Sequence, residues 1–271
     1  IDTQAGEFIL YAGFAAGETP SESNAYTVDA TEYRAAYCLY RDSESVYAFR
    51  GDEQTVLTDV TEERGALAGL DADTAYIRLD SFDGNCAEEF AACLSLMKSR
   101  GRSNLVLDLQ AISAHLLKNA EGNSPVVARA VFRDGSETLY RADGNDYAAY
   151  FTDESRITVL ADENTASASE CLIGALIDYG TIGYEDIYLR QDAETGVCRT
   201  YGKGVMQSTF TTIGGDAFRL TVAEIFWPNG NSIHEKGVTP SYPQAGAQAI
   251  TAPMLPDGTD AFLAQVLAAL A

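Results

Sequence analysis

Two short runs, Asn104-Leu-Val-Leu-Asp-Leu109 and Ile157-Thr-Val-Leu160, constrain the fold more than any other feature of the chain. Each is apolar at consecutive rather than alternate positions, the mark of a strand covered on both faces. Such strands need helices on either side, and the sequence supplies them. Tyr76-Ile-Arg-Leu79 reads as a strand, followed by a helix capped near Asp83 or Asn85, with Phe90, Cys93, Leu94 and Met97 at helical spacing. Further helices are expected over Ser113–Asn119, over Ser169–Tyr179 with Gly180 as its stop, and over Thr259–Ala271. Val126–Phe132 and Phe218–Phe226 read as strands, with a hairpin turn at Arg133-Asp-Gly-Ser136. The pattern predicts an α/β core.

Residues 1–70 differ. Short β-like runs (Phe8–Leu10, Tyr37–Tyr40, Ser45–Phe49, Thr55–Leu57) are broken by polar turns such as Arg50-Gly51-Asp52. They predict a small β-rich N-terminal region, bounded near Thr61–Gly69, ahead of a core over 71–271.

Charge and cysteine content narrow the function. Forty acidic residues against 18 basic ones give a net charge of -22, which repels phosphate backbones and makes nucleic acid an unfavourable partner. No apolar run approaches the roughly 20 residues of a membrane helix. Ile1–Gly6 carries neither the basic nor the apolar part of a signal peptide, as a trimmed chain also would not. Five cysteines without a CxxC pair argue against a zinc site and a dense disulfide framework. A single Cys171–Cys198 bridge is open, but buried free thiols are the expected state for most of the cysteines.

Two segments carry chemistry. In Ile157-Thr-Val-Leu-Ala-Asp-Glu-Asn-Thr-Ala-Ser-Ala-Ser-Glu170 a buried strand runs through small residues into a helix, setting Ser167 near a helix N-terminus. The backbone N–H groups there, beginning with Ala168, lack helical partners and can receive an oxyanion. An isolated serine in this position is more often a simple N-cap. In Thr200-Tyr-Gly-Lys-Gly-Val-Met-Gln207 a lysine lies between two glycines, and seen alone it reads as a surface lysine in a turn. A free lysine amine is protonated at neutral pH, and burial away from carboxylates is what makes such an amine a base. A catalytic Lys203 is therefore expected in a dry pocket. The two histidines offer no triad: His115 falls on an apolar helix face, and His234 lies in a loop entering a strand. No cluster of metal ligands is visible, and no cofactor is expected.

Taken in order, these blocks resemble the C-terminal processing peptidases, or tail-specific proteases. The resemblance covers roughly residues 75–271. It rests on Tyr76–Phe82, Asn104–Leu109, Thr165–Glu170, Tyr201-Gly-Lys-Gly204 with Gln207, Phe218–Ala223, Pro228–Ile233, Lys236–Pro240 and Gly258-Thr-Asp260. It implies a crotonase-like core and a serine endopeptidase that cuts proteins or peptides near the C-terminus by Ser/Lys acyl-enzyme chemistry. Carried over, Ser167 is the nucleophile, Lys203 the general base, Gln207 the residue orienting it one helical turn on, and Ala168 an oxyanion donor. Asp178 is a supporting aspartate, ranked below Gln207 because a carboxylate touching an amine favours its protonated form. The resemblance also implies protein or peptide substrates and an extracytoplasmic location. It leaves the oligomeric state open.

Three departures stand out. The glycine-rich segment that follows the Leu-Asp-Leu strand in the family has no counterpart, since Gln110 runs straight into Ala111-Ile-Ser-Ala-His115. Strand and helix joined with almost no turn suggest residues missing between them. Ser167 and Lys203 are 36 positions apart, more than the family typically has, with the excess expected as an exposed hairpin over Tyr184–Arg199. No PDZ domain is recognisable, though residues 1–70 could hold a reduced one. Two rivals stay open: a catalytically silent peptide- or ligand-binding module on the same fold, and a thioester-handling relative.

Overall fold

The computed structural model describes residues 70–71, 73–79, 86–109, 116–120, 124–142, 147–211, 217–252 and 261–270, together with five strands before residue 57. In chain order the strands are β1 (Glu7–Tyr11), β2 (Ala25–Asp29), β3 (Ala36–Asp42), β4 (Ser45–Arg50), β5 (Glu53–Val56), β6 (Thr74–Leu79) and β7 (Asn104–Asp108). They continue with β8 (Val126–Phe132), β9 (Glu137–Arg141), β10 (Ile157–Ala161), β11 (Ile187–Gln191), β12 (Val205–Thr211), β13 (Ala217–Phe226) and β14 (Gln248–Thr251). The helices are α1 (Cys86–Ser99), α2 (Tyr147–Tyr150), α3 (Ala168–Asp178) and α4 (Ala261–Leu270).

The described strands form an eight-stranded sheet in the order β14-β11-β10-β7-β6-β3-β4-β5, a four-stranded sheet β12-β13-β8-β9 and a β1-β2 pair. From β14 to β6 the large sheet is parallel. Beyond β6 it continues antiparallel into β3, β4 and β5, so strands from the first seventy residues extend the core sheet.

Period-two alternation explains the two-sided burial. Ile77, Leu105, Leu107, Val159, Ile187 and Leu189 face α1 and α3, where Phe90, Leu94, Met97, Leu172 and Ile173 complete one core with Trp227. The residues between them, Tyr76, Val106, Leu160 and Tyr188, face Phe262, Leu263, Val266 and Leu267 of α4. The α/β class expected from the two apolar runs is what the structure has.

Two expectations need correction. Tyr184–Arg199 is not an exposed hairpin. Tyr184–Asp186 is a 3-10 turn, Ile187–Leu189 is buried parallel strand, and only the turn after Gln191 is open. Apolar Ile187 and Leu189 find a place between β10 and β14, which decides their burial. Cys171 and Cys198 are free thiols, the state expected for most of the cysteines. Of the helix expected over Ser113–Asn119, the described residues, 116–119, form no α-helix: Leu116 is 3-10, Lys118 and Asn119 are turn, and Leu116 and Leu117 are buried in the core. The caps expected at Asp83 and Asn85 lie outside the described residues, as do His115 and the Gln110–Ala111 junction.

Candidate active site

β10 is buried along its whole length and ends at Ala161, between β7 and β11. Ligand sites in such sheets gather at the carboxyl ends of the strands. The turn that follows is tied by Asp162, whose Oδ1 accepts the N–H groups of Asn164 (2.9 Å) and Thr165 (3.1 Å). The Asp162 N–H donates back to Thr165 Oγ1 at 3.0 Å. The chain then turns sharply at Ser167 and enters α3.

Ser167 has φ 55 and ψ -109, a left-handed conformation that side-chain-bearing residues rarely adopt. Such strain costs on the order of 1–3 kcal/mol and persists only where its surroundings hold it. An ordinary N-cap sits in the β region and spends its side-chain oxygen on the helix. Ser167 does neither: its side chain makes no cap hydrogen bond. Ala168 opens the helix, where N–H groups have no intrahelical acceptor.

The lysine segment is pinned beside this corner. Tyr201 N–H donates to Thr165 C=O at 2.9 Å, and Thr200 N–H to Val238 C=O at 2.9 Å. On its other side Glu235 N–H donates to Gly202 C=O at 2.8 Å. The flanking glycines are there because of this contact. A methyl on Gly202 would lie 2.8 Å from Gly237 N, and one on Gly204 2.8 Å from His234 N. Close backbone passage explains Gly-Lys-Gly.

Glu170, to which the sequence alone assigns no role, joins the two segments. It is fully buried, and its carboxylate takes four hydrogen bonds. Oε2 accepts the N–H of Ser167 and the N–H of Lys203, each at 2.9 Å. Oε1 accepts the Gly202 N–H (2.8 Å) and the Thr200 hydroxyl (2.5 Å). The backbone nitrogens of Ser167 and Lys203 therefore lie no more than 5.8 Å apart, twice 2.9 Å. The one signal in the sequence is a Glu three residues after Ser167, the spacing of a capping box.

Other expected members sit differently. Lys203 is exposed, so the dry pocket expected around it is not formed in this structure. Its backbone is anchored from both sides while its side chain stays in solvent. Gln207 is also exposed and lies on β12, two strand steps from Val205, not one helical turn past Lys203. It faces Thr221 where the β12–β13 register shifts. Asp178 ends α3, about 15 Å along the axis from Ala168, and the structure does not bring it to the lysine. Its Oδ2 accepts the Asn229 N–H at 2.8 Å, and burial pushes its carboxyl above the ordinary range against that bond. Among the described residues no His, Cys, Asp and Glu group is arranged to hold a metal.

The model of peptidase family S41 matches residues 73–184 and 194–243. The chain belongs to peptidase family S41. Among S41 relatives, a carboxyl-terminal-processing protease of Synechocystis is 32% identical over 171 residues, covering 61% of this chain and 36% of that one. The chloroplastic carboxyl-terminal-processing peptidase 2 of Arabidopsis thaliana is 28% identical over 248 residues, covering 81% and 44%. This chain thus spans less than half the length of either relative. The solved structure of a photosystem II D1 C-terminal processing protease matches with a TM-score of 0.54 at 21% identity, over 95% of this chain and 59% of that one. The α/β arrangement of parallel and antiparallel sheets is thus that of an S41 structure. Among the described residues no helix is long and apolar enough to cross a membrane.

Proposed function

We infer that this chain is the catalytic core, crotonase-like in plan, of an extracytoplasmic serine endopeptidase cutting proteins or peptides near their C-termini. The observation that carries this reading is the shared carboxylate oxygen that pins the Ser167 and Lys203 backbones side by side. The uncapped Ser167 hydroxyl on a strained corner supports it.

In this reading the Ser167 hydroxyl oxygen attacks the scissile carbonyl carbon and passes its proton to the Lys203 amine. The carbonyl oxygen becomes an oxyanion facing the Ala168 N–H at the positive end of α3. Collapse returns the proton from Lys203 to the leaving amine and leaves an acyl-serine. Water activated by the same amine then hydrolyses that ester. Because Lys203 is exposed in the free chain, the dry surroundings its base role needs come with the substrate, whose bound backbone displaces water from the amine. Gln207 acts on the lysine only once that complex forms.

The exposure of Lys203 favours one other reading, a silent module that holds peptides without cutting them. A fluorophosphonate probe separates the two. Labelling of Ser167 that is lost in Lys203→Ala, with peptide cleavage lost in Ser167→Ala, supports the peptidase. An unlabelled Ser167 in the complete chain would support the silent module.

A further inference from the structure

We propose that Glu170, with Thr200 as its relay, is a positioning residue that aligns the nucleophile corner and the lysine segment as one unit. The proposal rests on the Ser/Lys reading above and adds to it how the pair is held.

Hydrogen-bond arithmetic singles out a carboxylate at this position. Four donors converge on two oxygens, two on each, in a site with no solvent access. An ionised carboxylate is acceptor-only and can satisfy all four. A carboxamide cannot: turned one way, its NH2 faces Thr200 and Gly202, and turned the other, Ser167 and Lys203. The first orientation sets the NH2 against the Gly202 N–H and forces the Thr200 hydroxyl to turn, and the second sets it against two N–H groups. A shorter aspartate does not reach both segments from the first turn of α3. With no ion pair to it among the described residues, the carboxylate rests on these charge-assisted bonds and on the helix N-terminus.

The relay extends one step further. Thr200 Oγ1 donates to Glu170 and accepts the Val238 N–H at 2.7 Å. Val238 follows the loop whose Glu235 holds Gly202. Nucleophile corner, lysine segment and loop 233–238 are thereby connected through a single buried carboxylate. The bond to the Ser167 N–H also holds the residue whose backbone is strained, so the carboxylate stabilises the conformation that frees the serine hydroxyl.

A structural role alone would lower stability and leave the folded enzyme normal; a positioning role lowers turnover in folded protein. The test compares Glu170→Gln, Thr200→Val and Thr200→Ser in the complete chain. The readouts are kcat and KM on a fluorogenic peptide, the limiting rate of fluorophosphonate labelling of Ser167, and Tm. Glu170→Gln should lower kcat and the labelling rate by about 100-fold, as a small misplacement of reacting groups does, with KM changed by less than about threefold. Thr200→Val should lose about 10-fold, and Thr200→Ser, which restores the hydroxyl, should recover most of it. If Glu170→Gln does not fold, the valine and serine pair decides. Variants whose Tm falls while kcat and labelling rate stay at the parent values would overturn the positioning role. Undiminished cleavage in Ser167→Ala would overturn the functional reading and this inference together, a distinguishable result.

Discussion

Trp227 lies flat on the backbone of Gly174, in the middle of α3, so closely that a methyl there would sit 2.2 Å from the indole ring. Both residues are buried in the core that carries α3. Gly174→Ala, ordinarily favourable in a helix, should instead destabilise the chain by about 1–3 kcal/mol through overpacking. Gly135→Ala, which meets nothing within 4 Å but has φ +83, should cost about 1 kcal/mol from backbone strain alone. Urea unfolding of the two variants ranks them.

The same close-approach argument applies at the site, with a catalytic readout. Gly204→Ala would drive a methyl to 2.8 Å from His234 N, and backbone has no rotamer with which to move away. In the proposed peptidase the substitution should slow turnover at least 10-fold, about 1.4 kcal/mol of barrier. Parallel measurements of kcat and Tm check it.

Asp178 offers a prediction in pH. Burial holds its carboxyl above the ordinary value, so between the two values the folded chain binds a proton more readily than the unfolded one. Its contribution to stability is present at low pH and is lost as pH rises through the folded value. Asp178→Asn keeps an acceptor for the Asn229 N–H and removes that loss. The Tm of the variant should therefore gain on the parent as pH rises above the ordinary aspartate value of about 4. Turnover should stay close to the parent's, because α3 holds Asp178 far from Ser167. A roughly 100-fold slower turnover with unchanged KM would return the aspartate to the catalytic set.

Thiol chemistry should follow burial. The Cys171 thiol is pushed up to about 12, by burial first and by the Glu170 charge second. Cys198 is raised by burial alone and is half-buried. Alkylation of folded protein at mildly alkaline pH should modify Cys198 well before Cys171, because the thiolate is the nucleophile. Peptide mapping by mass spectrometry reads the order.

How much of this was legible in the sequence depends on the distance over which the deciding contact acts. The buried runs at Leu105–Leu107 and Ile157–Leu160 announced a sheet covered on both faces, because burial acts through side chains of the run itself. Ser167 was legible for a similar reason: strand, small-residue turn and helix are consecutive. Gln207 was misplaced because Val205–Thr211 becomes strand by pairing with β13, a partner that local propensity does not reveal. β11 was mistaken for an exposed hairpin because its neighbours β10 and β14 lie far from it in sequence. The glycines around Lys203 were visible but their reason was not, since it resides in loop 233–238. Glu170 was hidden most thoroughly: its spacing announces a helix cap, while three of its four bonds reach 30 to 33 residues along the chain.

The tie between Tyr201 N–H and Thr165 C=O has an architectural result. Together with the bonds to Glu170, it fastens the lysine segment where it arrives beside Ser167, whatever route the chain takes to get there. The surface turn at Ala193–Val197, exposed throughout, is accordingly free to change length without harm to the centre. An affinity tag or fluorescent peptide spliced in at Glu194 should leave the chain folded and its two halves in register.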